Sequence, residues 1–348
     1  MILETLHLNA GELERRTGLM IKPQGACKDD RCVPLPYVDP AHIDVAVLAE
    51  RLQMPLIHDA VNGLWCLGPE AGGRTLSSAV APELILPDVE GHPWSLSSLR
   101  GRKVLLIAWA SWCGCRVDLP VWQERYRELH PNGLEIVTVA LDTGGVAVAR
   151  PWIEAAQPSY VCLIDQAHVI DALFGVVNVP SGVWIDEAGM IVRPPETAYP
   201  HRPSFLDRAI PLGASSTEIA RITQVNKLRI DADGYIAALR DWVAHGAASR
   251  FALAPEEVVR RSRPRPVDEA MATAHFELGQ HLHRSGQRND AITHFRDAYR
   301  LQPDNWTYKR QAWSLLAPGQ SPMALYGSDW LSDVQKIGAE NYYPPLDL

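Results

Sequence analysis

Residues 109–120 read Trp-Ala-Ser-Trp-Cys-Gly-Cys-Arg-Val-Asp-Leu-Pro, so a single glycine separates two cysteines. The run at 103–110 before them is almost entirely apolar, which is typical of a strand buried on both faces of a sheet. A helix is predicted at 113–129. Cys113 and Cys115 therefore lie where a buried strand passes into a helix, and the N–H groups and dipole at a helix N-terminus favour a thiolate over a thiol.

The positions of the two thiols predict different roles. Cys113 comes earlier in the turn, so we expect it to be the more exposed thiol and the nucleophile. Cys115 lies nearer the helix interior, where it is placed to resolve a mixed disulfide. Arg116 adds positive charge nearby. The alternative is that both cysteines only pack, but two thiols separated by glycine at a strand-to-helix junction rarely serve packing alone.

The sequence around this motif alternates between strand and helix patterns. This alternation predicts an α/β domain with parallel strands covered by helices. A turn at 187–189 joins the last two strands, and Pro180 precedes them. The predicted strands are 103–110, 134–141, 160–164, 182–186 and 190–192, and the predicted helices are 113–129, 146–156 and 165–174. The resulting order is β-α-β-α-β-α-β-β.

The segment resembles the TlpA/ResA-like thiol–disulfide oxidoreductases of the thioredoxin superfamily. In that family the first core strand ends in W-A-x-W-C-x-x-C-R-x-E-x-P, and a later hydrophobic-V-P-(T/S) segment carries a cis-proline. The second segment is matched by Asn-Val-Pro-Ser at 178–181, and 81–88 and 94–104 resemble the family's entry to its first core strand. The residues that match the first segment are Trp109, Ala110, Trp112, Cys113, Arg116 and Pro120.

The resemblance implies a thioredoxin-like central domain that carries out thiol–disulfide exchange with Cys113 and Cys115 as the catalytic pair. It also implies that the bond before Pro180 is cis, so that backbone opposite the nucleophile can pair with an extended substrate. A trans-proline that opens the last strands is the alternative, because most X-Pro bonds are trans. The residues that the resemblance assigns to substrate binding are Trp112, Arg116, Val179 and Pro180.

The chain departs from the family pattern at two positions. One residue is missing between the cysteines, which gives C-G-C in place of C-x-x-C, and Asp118 stands where the family has glutamate. A disulfide across a single residue is strained, and strain raises the reduction potential. We therefore expect disulfide exchange with an oxidising or isomerising bias.

A second resemblance favours a thiol peroxidase as the alternative function. Ala-Ser-Trp-Cys-Gly at 110–114 is similar to the nucleophile segment of glutathione peroxidases, so Cys113 could reduce peroxide and Cys115 could resolve the product. The chain lacks the W-N-F segment of those enzymes. The peroxiredoxin pattern P-x-x-x-(T/S)-x-x-C also fails, because Leu106 and Ala110 stand at its proline and Thr/Ser positions.

Cys27 and Cys32 flank a polar turn, Lys-Asp-Asp-Arg at 28–31. Three interpretations remain open: a second redox pair that passes electrons to Cys113, half of a metal site, or a loop that merely contains two thiols. A metal site could recruit Cys113 and Cys115 as well, giving four thiolates for a soft ion such as Zn²⁺ or Cu⁺. The protein would then be a redox-sensing or soft-metal-binding module, a different class from an enzyme.

The other two cysteines and one tryptophan have simpler interpretations. Cys66 lies in a predicted hairpin strand and Cys162 in a predicted core strand, so we expect both to pack as small apolar side chains. Trp184 either lines the substrate groove or belongs to the core.

The length of 348 residues predicts more than one domain. We expect a small α+β module at 1–78, the thioredoxin-like domain at 80–195, a helical extension and linker at 196–266, and a tetratricopeptide-like helical region at 267–348. The N-terminal module begins with a helix capped by Asn9, then has a helix opened by Asp39-Pro40 and a hairpin with a two-residue turn at Asn62-Gly63. The tetratricopeptide-like pattern fits one helix pair, which could bind a protein partner.

Composition excludes some classes of partner. The formal net charge is −8 and the apolar fraction is 47%, so there is no electrostatic reason to bind nucleic acid or an anionic membrane surface. The N-terminus lacks a basic region followed by an apolar run, and no run approaches the roughly 18 apolar residues of a membrane span. We expect a cytoplasmic protein that needs no cofactor and acts on protein or small-molecule thiols and disulfides.

Overall fold

The computed structural model describes residues 1–28, 31–36 and 39–348. The strands are Ile2–Leu3 (β1), His7–Leu8 (β2), Met20–Lys22 (β3), Gly25–Lys28 (β4), Arg31–Val33 (β5), Ile43–Asp44 (β6), Leu56–Asp59 (β7), Leu64–Leu67 (β8), Gly73–Arg74 (β9), Ile85–Pro87 (β10), Pro93–Ser95 (β11), Lys103–Trp109 (β12), Leu134–Leu141 (β13), Val161–Asp165 (β14), Ser181–Ile185 (β15), Ile191–Thr197 (β16) and Pro264–Arg265 (β17). The α-helices are Ala10–Thr17 (α1), Val45–Arg51 (α2), Leu119–Leu129 (α3), Val146–Ala156 (α4), Val169–Phe174 (α5), Ser216–Val225 (α6), Ala232–His245 (α7), Pro255–Arg261 (α8), Val267–Arg284 (α9), Arg288–Leu301 (α10), Trp306–Ser314 (α11), Pro322–Tyr326 (α12) and Trp330–Ile337 (α13). Short 3-10 helices cover Leu96–Leu99, Gly114–Asp118, His130–Asn132, Gly246–Ala248 and Ala339–Asn341.

The chain forms two compact units, and each is assembled from two stretches of sequence. The first contains Met1–Thr75 and Arg263–Tyr308, and the second contains Leu76–Ser262 and Lys309–Leu348. The division into four successive segments at 1–78, 80–195, 196–266 and 267–348 stays a prediction. No helix of the described chain combines the length and the apolar character that a membrane crossing requires.

In the first unit, one predicted helix start is confirmed and another is wrong. Helix α1 begins after Asn9, whose side chain accepts a hydrogen bond from the Glu12 N–H. Helix α2 does not begin at Asp39-Pro40. Its N-cap is Asp44, which accepts from two backbone N–H groups of the first turn, and the preceding Ile43 lies in β6 against β2. An aspartate one turn later therefore provides the cap, and the apolar Ile43 packs in a strand.

The hairpin of the first unit has the predicted strands and a longer turn. Strands β7 and β8 pair antiparallel, with Asp59 opposite Leu64, so four residues at 60–63 connect them instead of two. The Asp59 carboxylate accepts from the N–H groups of Val61 and Asn62, which stabilises this wider turn. Gly63 has a φ of 66°, the positive value that the Asn-Gly pair indicated.

Helices α9 and α10 of the first unit pack closely on each other. The Phe276 and Phe295 rings lie 5.5 Å apart, and a Cβ added to Gly279 would lie 2.6 Å from the Phe295 ring. Glycine at this position therefore permits the close approach of the two helices. The tetratricopeptide assignment of this pair and its role in binding a partner remain predictions.

The second unit is built on a five-stranded sheet in the order β14-β13-β12-β15-β16. Strand β12 is the central strand, and it pairs parallel with β13 and antiparallel with β15. Six of its seven residues are buried, as expected for a strand covered on both faces. Helices α3 and α4 connect the parallel strands β12, β13 and β14, and α5 leads from β14 to the antiparallel β15, so the predicted β-α-β-α-β-α-β-β order is confirmed. This arrangement is thioredoxin-like. The carboxyl ends of β12, β13 and β14 share one edge of the sheet, and polar residues gather there.

Two predicted helices of the second unit begin later than expected. The helix predicted at 113–129 opens with a 3-10 turn over Gly114–Asp118, and α3 starts only at Leu119. The helix predicted at 165–174 starts at Val169, because Asp165 ends β14 and its carboxylate accepts from the Ile170 N–H.

Candidate functional site

The site is centred on Cys113, four residues beyond the end of β12. Its Sγ atom receives a hydrogen bond from the Cys115 N–H at 3.4 Å and lies 3.5 Å from the Val179 carbonyl oxygen. Both cysteines are free thiols. The 3-10 turn that follows Cys113 therefore brings the predicted pair together, with Cys113 in the N-cap position.

The predicted proline faces this thiol. The Val179–Pro180 peptide bond is cis, as the resemblance implied. Val179 and Pro180 are both buried, and the Val179 carbonyl oxygen contacts the thiol. The structure thus brings Cys113, Cys115, Val179 and Pro180 into one site, while their roles in catalysis stay predictions.

The expectation that Cys113 is exposed is wrong. Cys113 and Cys115 are each only 2% exposed. Residues from the end of the chain lie over the thiol: the Tyr343 hydroxyl is 3.4 Å from the Val179 carbonyl oxygen, and the Asn178 side-chain amide donates to the Tyr342 carbonyl at 3.1 Å. We call Tyr342–Tyr343 the cover. The motif at 109–120 alone gave no indication of it.

The cover is held by further hydrogen bonds and ring contacts. The hydroxyls of Tyr199 and Tyr343 are 2.9 Å apart, and their rings meet edge to face at 5.7 Å. The Tyr342 hydroxyl accepts from the Arg310 guanidinium at 3.1 Å. Both tyrosines of the cover are buried, at 2% and 3% exposure. They therefore close the site in this structure.

Electrostatics distinguishes the two thiols. Burial alone would raise the pKa of Cys113, but hydrogen bonds from Cys115 and the nearby Arg310 charge outweigh it and lower this pKa to about 6. Burial and the adjacent Cys113 raise the pKa of Cys115 well above its ordinary value. Near neutral pH, Cys113 is therefore the anion and Cys115 is the protonated thiol, as the predicted roles require.

Asp118, which stands at the position of the family's glutamate, is a third titrating group of the site. Burial and the neighbouring Cys113 raise its pKa to about 8. Its Oδ1 atom lies 3.0 Å from His201 Nε2. Asp118 is therefore largely protonated at pH 7, and it can give or take a proton close to neutral pH.

Two residues assigned to substrate binding are engaged in contacts within the protein. The Trp112 indole N–H donates to Gln311 at 3.1 Å, and the Arg310 guanidinium carbon lies 5.0 Å from the Trp112 ring centroid. Arg116 donates to the Cys113 carbonyl at 3.0 Å and stacks on Trp152. Arg116 therefore lies near Cys113, as predicted, but the cation that contacts the sulfur itself is Arg310.

Gln311 contacts residues that follow three strands at this edge of the sheet. Its side-chain oxygen accepts from the Trp112 indole at 3.1 Å and from the Thr143 N–H at 2.9 Å, and it lies 3.2 Å from His168 Nε2. These partners follow β12, β13 and β14 respectively. Neither Arg310 nor Gln311 was predicted, because they lie almost two hundred residues beyond Cys113 and belong to no recognisable motif.

Cys27 and Cys32 form a disulfide in the first unit. They are paired across β4 and β5, while Asp29 and Asp30 of the predicted polar turn lie outside the described residues. Cys113 and Cys115 belong to the second unit. Within the part of the chain that the structure describes, no group of three or more histidine, cysteine or acidic residues could hold a metal ion. The four-thiolate metal site therefore has no support.

The remaining candidates are core residues. Cys66 is fully buried and Cys162 is 8% exposed. Trp184 is also fully buried, stacks on Trp242 with ring centroids 5.0 Å apart, and donates to the Tyr235 hydroxyl at 2.9 Å. Trp184 thus belongs to the core and does not line the groove.

The central segment of the chain is similar to known proteins. Residues 78–194 match the AhpC/TSA family. Over 114 residues, the chain is 27% identical to the thiol-disulfide oxidoreductase ResA of Bacillus thuringiensis subsp. konkukian, covering 32% of this chain and 65% of that protein. ResA of Bacillus subtilis is 29% identical over 126 residues, covering 35% of this chain and 69% of that protein.

Two solved structures also align with this segment. The thioredoxin domain of a thiol-disulfide oxidoreductase from Bacteroides vulgatus is 26% identical with a TM-score of 0.30, and the match covers 33% of this chain and 86% of that one. StoA from Bacillus subtilis is 25% identical with a TM-score of 0.29, and the match covers 32% and 86%. About two thirds of this chain lies outside these matches.

Proposed function

Because residues 78–194 carry a redoxin domain of the AhpC/TSA family, we propose that the protein is a thiol–disulfide oxidoreductase in which Cys113 attacks and Cys115 resolves. One observation carries the proposal. The Cys113 sulfur lies between the Cys115 N–H and the Val179 carbonyl, with a pKa lowered to about 6, while Cys115 stays protonated. Curated relatives of the same segment are named for this activity.

The proposed exchange proceeds in two displacements. The Cys113 thiolate attacks one sulfur of a substrate disulfide, the S–S bond breaks, and the other substrate sulfur leaves as a thiolate that takes up a proton. Cys115 then loses its proton to water, or to Asp118 where that carboxyl has itself been ionised, and attacks Cys113 Sγ. The second substrate thiol is released. The substrate gains two electrons, and the protein gains a Cys113–Cys115 disulfide; the same steps in reverse oxidise a substrate dithiol.

The single glycine between the cysteines supports the reverse, oxidising direction. A disulfide that closes so small a ring is strained, and strained disulfides have higher reduction potentials. Equilibration of the protein with glutathione buffers of known ratio, followed by trapping of the free thiols, measures this potential. We expect a value above that of thioredoxin, about −270 mV, and a value as low as thioredoxin's would contradict the oxidising bias.

The cover limits which substrates reach Cys113. An extended polypeptide substrate would pair with the Val179 carbonyl, but the Tyr343 hydroxyl occupies that position at 3.4 Å. Exchange with a protein disulfide therefore requires the cover to leave. A small thiol or disulfide needs a smaller opening.

Burial of the thiol also supports the second candidate, a thiol peroxidase. A peroxide is small enough to need little opening, and Cys113 is only 2% exposed. In this reaction the Cys113 thiolate attacks a peroxide oxygen, the O–O bond breaks, and the alkoxide or hydroxide leaves with a proton. Cys115 then displaces water from the sulfenic acid to form the disulfide, which an external thiol reduces.

Substitution of the resolving cysteine tests both candidates. Cys115→Ser keeps a hydroxyl that can still hydrogen-bond to Cys113 but cannot resolve an intermediate. For disulfide exchange we expect a stable covalent adduct on Cys113, detected by mass spectrometry of the tryptic peptide after incubation with cell extract or a peptide disulfide. Cys162→Ser, in core strand β14, is the matched control and should trap nothing.

The same variant separates the two reactions. After hydrogen peroxide treatment, a sulfenic acid on Cys113 that reacts with dimedone, without any disulfide adduct from peptide or extract, would favour the peroxidase. If Cys113 forms neither an adduct nor a sulfenic acid, the proposed function is wrong and the site has no thiol chemistry of this kind.

A further inference from the structure

The Arg310 guanidinium is in direct contact with the sulfur that the proposed function uses. Its Nη1 atom donates to Cys113 Sγ at 3.6 Å and to the Tyr342 hydroxyl at 3.1 Å, and its Nη2 atom donates to the Trp112 carbonyl at 3.0 Å. The planar group also lies over the Trp112 ring, 5.0 Å from its centroid. Three hydrogen bonds and a stacked ring fix its orientation.

Arg310 comes from α11, outside the matched redoxin segment at 78–194. Its neighbour Gln311 accepts hydrogen bonds from Trp112 and Thr143 and lies 3.2 Å from His168 Nε2. These contacts hold the helix at the carboxyl edge of the sheet. Arg310 is therefore held at the thiol by its own helix as well as by its own bonds. The bond of Arg310 to the Trp112 carbonyl does not involve the cover.

Among the residues that the structure describes, Arg310 is the cation that hydrogen-bonds to the Cys113 sulfur, and the site's other titratable groups bond elsewhere or are uncharged. Arg116 directs its guanidinium to the Cys113 carbonyl and to Trp152. Burial raises the pKa of Asp118 to about 8, and burial raises the pKa values of Cys115, Tyr199, Tyr342 and Tyr343. These groups are neutral at pH 7 when Asp118 holds its proton. The His201 side chain lies against Asp118.

We propose that Arg310 is a catalytic residue that stabilises the Cys113 thiolate from outside the redoxin domain. A thiolate that is 2% exposed has lost most of its hydration, and a buried anion persists only when it is paired and hydrogen-bonded. Arg310 supplies both the charge and a donor in one group. The inference rests on the proposed function for its catalytic meaning, while the pairing itself can be measured without any substrate.

The experiment is the pH dependence of Cys113 alkylation by iodoacetamide in the full chain, read out by mass spectrometry of the Cys113 peptide. The other free thiols do not interfere between pH 5 and 8, because burial raises the pKa values of Cys66, Cys115 and Cys162. For the wild type we expect a midpoint near 6. A wild-type midpoint near the ordinary value of about 8.5 would overturn the proposal without any variant.

Arg310→Gln removes the charge and keeps a hydrogen-bond donor, and we expect its midpoint to rise by about one pH unit or more. Arg310→Lys restores a charge and should bring the midpoint back towards the wild-type value. A residue that only holds the cover in place would instead change the alkylation rate at every pH and leave the midpoint where it was. That result would overturn the proposal.

Two arginine controls have different purposes. Arg221→Gln replaces an exposed arginine of α6 and should leave the midpoint unchanged. Arg116→Gln tests the other nearby arginine and should move the midpoint by less than Arg310→Gln; a larger shift would transfer the role to Arg116. The Cys115→Ser trap is independent of these results. A trapped adduct with no Arg310 effect refutes this inference alone, and a shifted midpoint with no adduct or sulfenic acid refutes the function alone.

Discussion

The hydroxyl of Tyr343 contributes to the free energy that holds the cover closed over Cys113. It lies 2.9 Å from the Tyr199 hydroxyl and 3.4 Å from the Val179 carbonyl oxygen. Tyr343→Phe removes both contacts and keeps the ring that meets Tyr199 and Tyr342 edge to face. A hydrogen bond contributes roughly 0.5–1.5 kcal/mol net, and the 3.4 Å contact is long for an O–H···O bond, so losing both contacts should destabilise the closed site by about 1–2 kcal/mol. That free energy corresponds to roughly a 5- to 30-fold larger open population.

The assay is the rate at which Cys113 reacts with a short peptide that carries an activated disulfide, compared with the rate for iodoacetamide. Both are measured at pH 8, above the midpoint of Cys113, so that a changed pKa does not alter the thiolate fraction. We expect Tyr343→Phe to accelerate the peptide reaction by roughly 5- to 30-fold and the iodoacetamide reaction by a smaller factor.

The matched control for this variant is Tyr126→Phe. It removes a hydroxyl of α3 that donates to Glu135 in β13 and makes no hydrogen bond to the cover, and it should change neither rate. An unchanged peptide rate in Tyr343→Phe would show that the hydroxyl does not hold the site closed. Equal acceleration of both reagents would show that the substitution loosens the fold generally, which would also refute a cover over the substrate position.

Two further predictions concern stability, measured as the free energy of unfolding in urea. Gly182→Ala should destabilise the second unit by about 1–3 kcal/mol, because the added Cβ would lie 2.4 Å from the Tyr235 hydroxyl. The control is Gly73→Ala, whose added Cβ has no atom within 4 Å. Equal effects of the two substitutions would contradict the packing argument. Replacing Cys27 and Cys32 with alanine should lower the free energy of unfolding by about 2 kcal/mol, because the disulfide closes a short loop. Dithiothreitol should lower the free energy of unfolding of the wild type but not of the variant. A wild type whose stability does not respond to the reductant would refute a stabilising role.

Most of the buried strands could be predicted closely from the sequence, although β16 runs to Thr197, five residues past its predicted end at 192. Strand β13 and helix α4 have the predicted bounds, and β12 ends one residue earlier than predicted. Continuous apolar runs determine these elements because a strand buried on both faces excludes polar side chains. The cis bond before Pro180 came from the family resemblance, since apolar pattern and spacing carry no information about it.

Helix starts were harder to predict where several acidic residues compete for the cap. Asp39 and Asp44 both precede apolar residues at helical spacing, and only tertiary structure shows that Ile43 pairs in a strand before α2 begins. In the second unit, the 3-10 turn after Cys113 delays α3 until Leu119. Each case is a choice between two local structures of similar propensity, which packing decides.

The cover and Arg310 could not be predicted from local pattern. Tyr342–Tyr343 stands in a tail without periodicity, and Arg310 lies on a helix whose composition gives no sign of a buried charge. The expectation of an exposed Cys113 considered the motif at 109–120 alone. The error therefore has a definite cause: contacts between distant parts of a chain leave no mark on a single sequence.

The low pKa of Cys113 gives the oxidising direction a second source, independent of the C-G-C spacing. Only the reduced pair holds a thiolate, so whatever stabilises that thiolate stabilises the reduced form and makes the disulfide a stronger oxidant. A pKa of about 6 in place of about 8.5 stabilises the reduced pair at pH 7 by about 1.4 kcal/mol, which is about 30 mV for a two-electron couple. Since Arg310 contributes to this shift, neutralising it should lower the potential of the pair as well as raise the pKa. Ring strain between Cys113 and Cys115 would be unaffected, so the two sources of oxidising power can be separated by measuring the potentials of the wild type and Arg310→Gln at pH 7 and again at about pH 4, where Cys113 is protonated in both proteins and the thiolate advantage disappears.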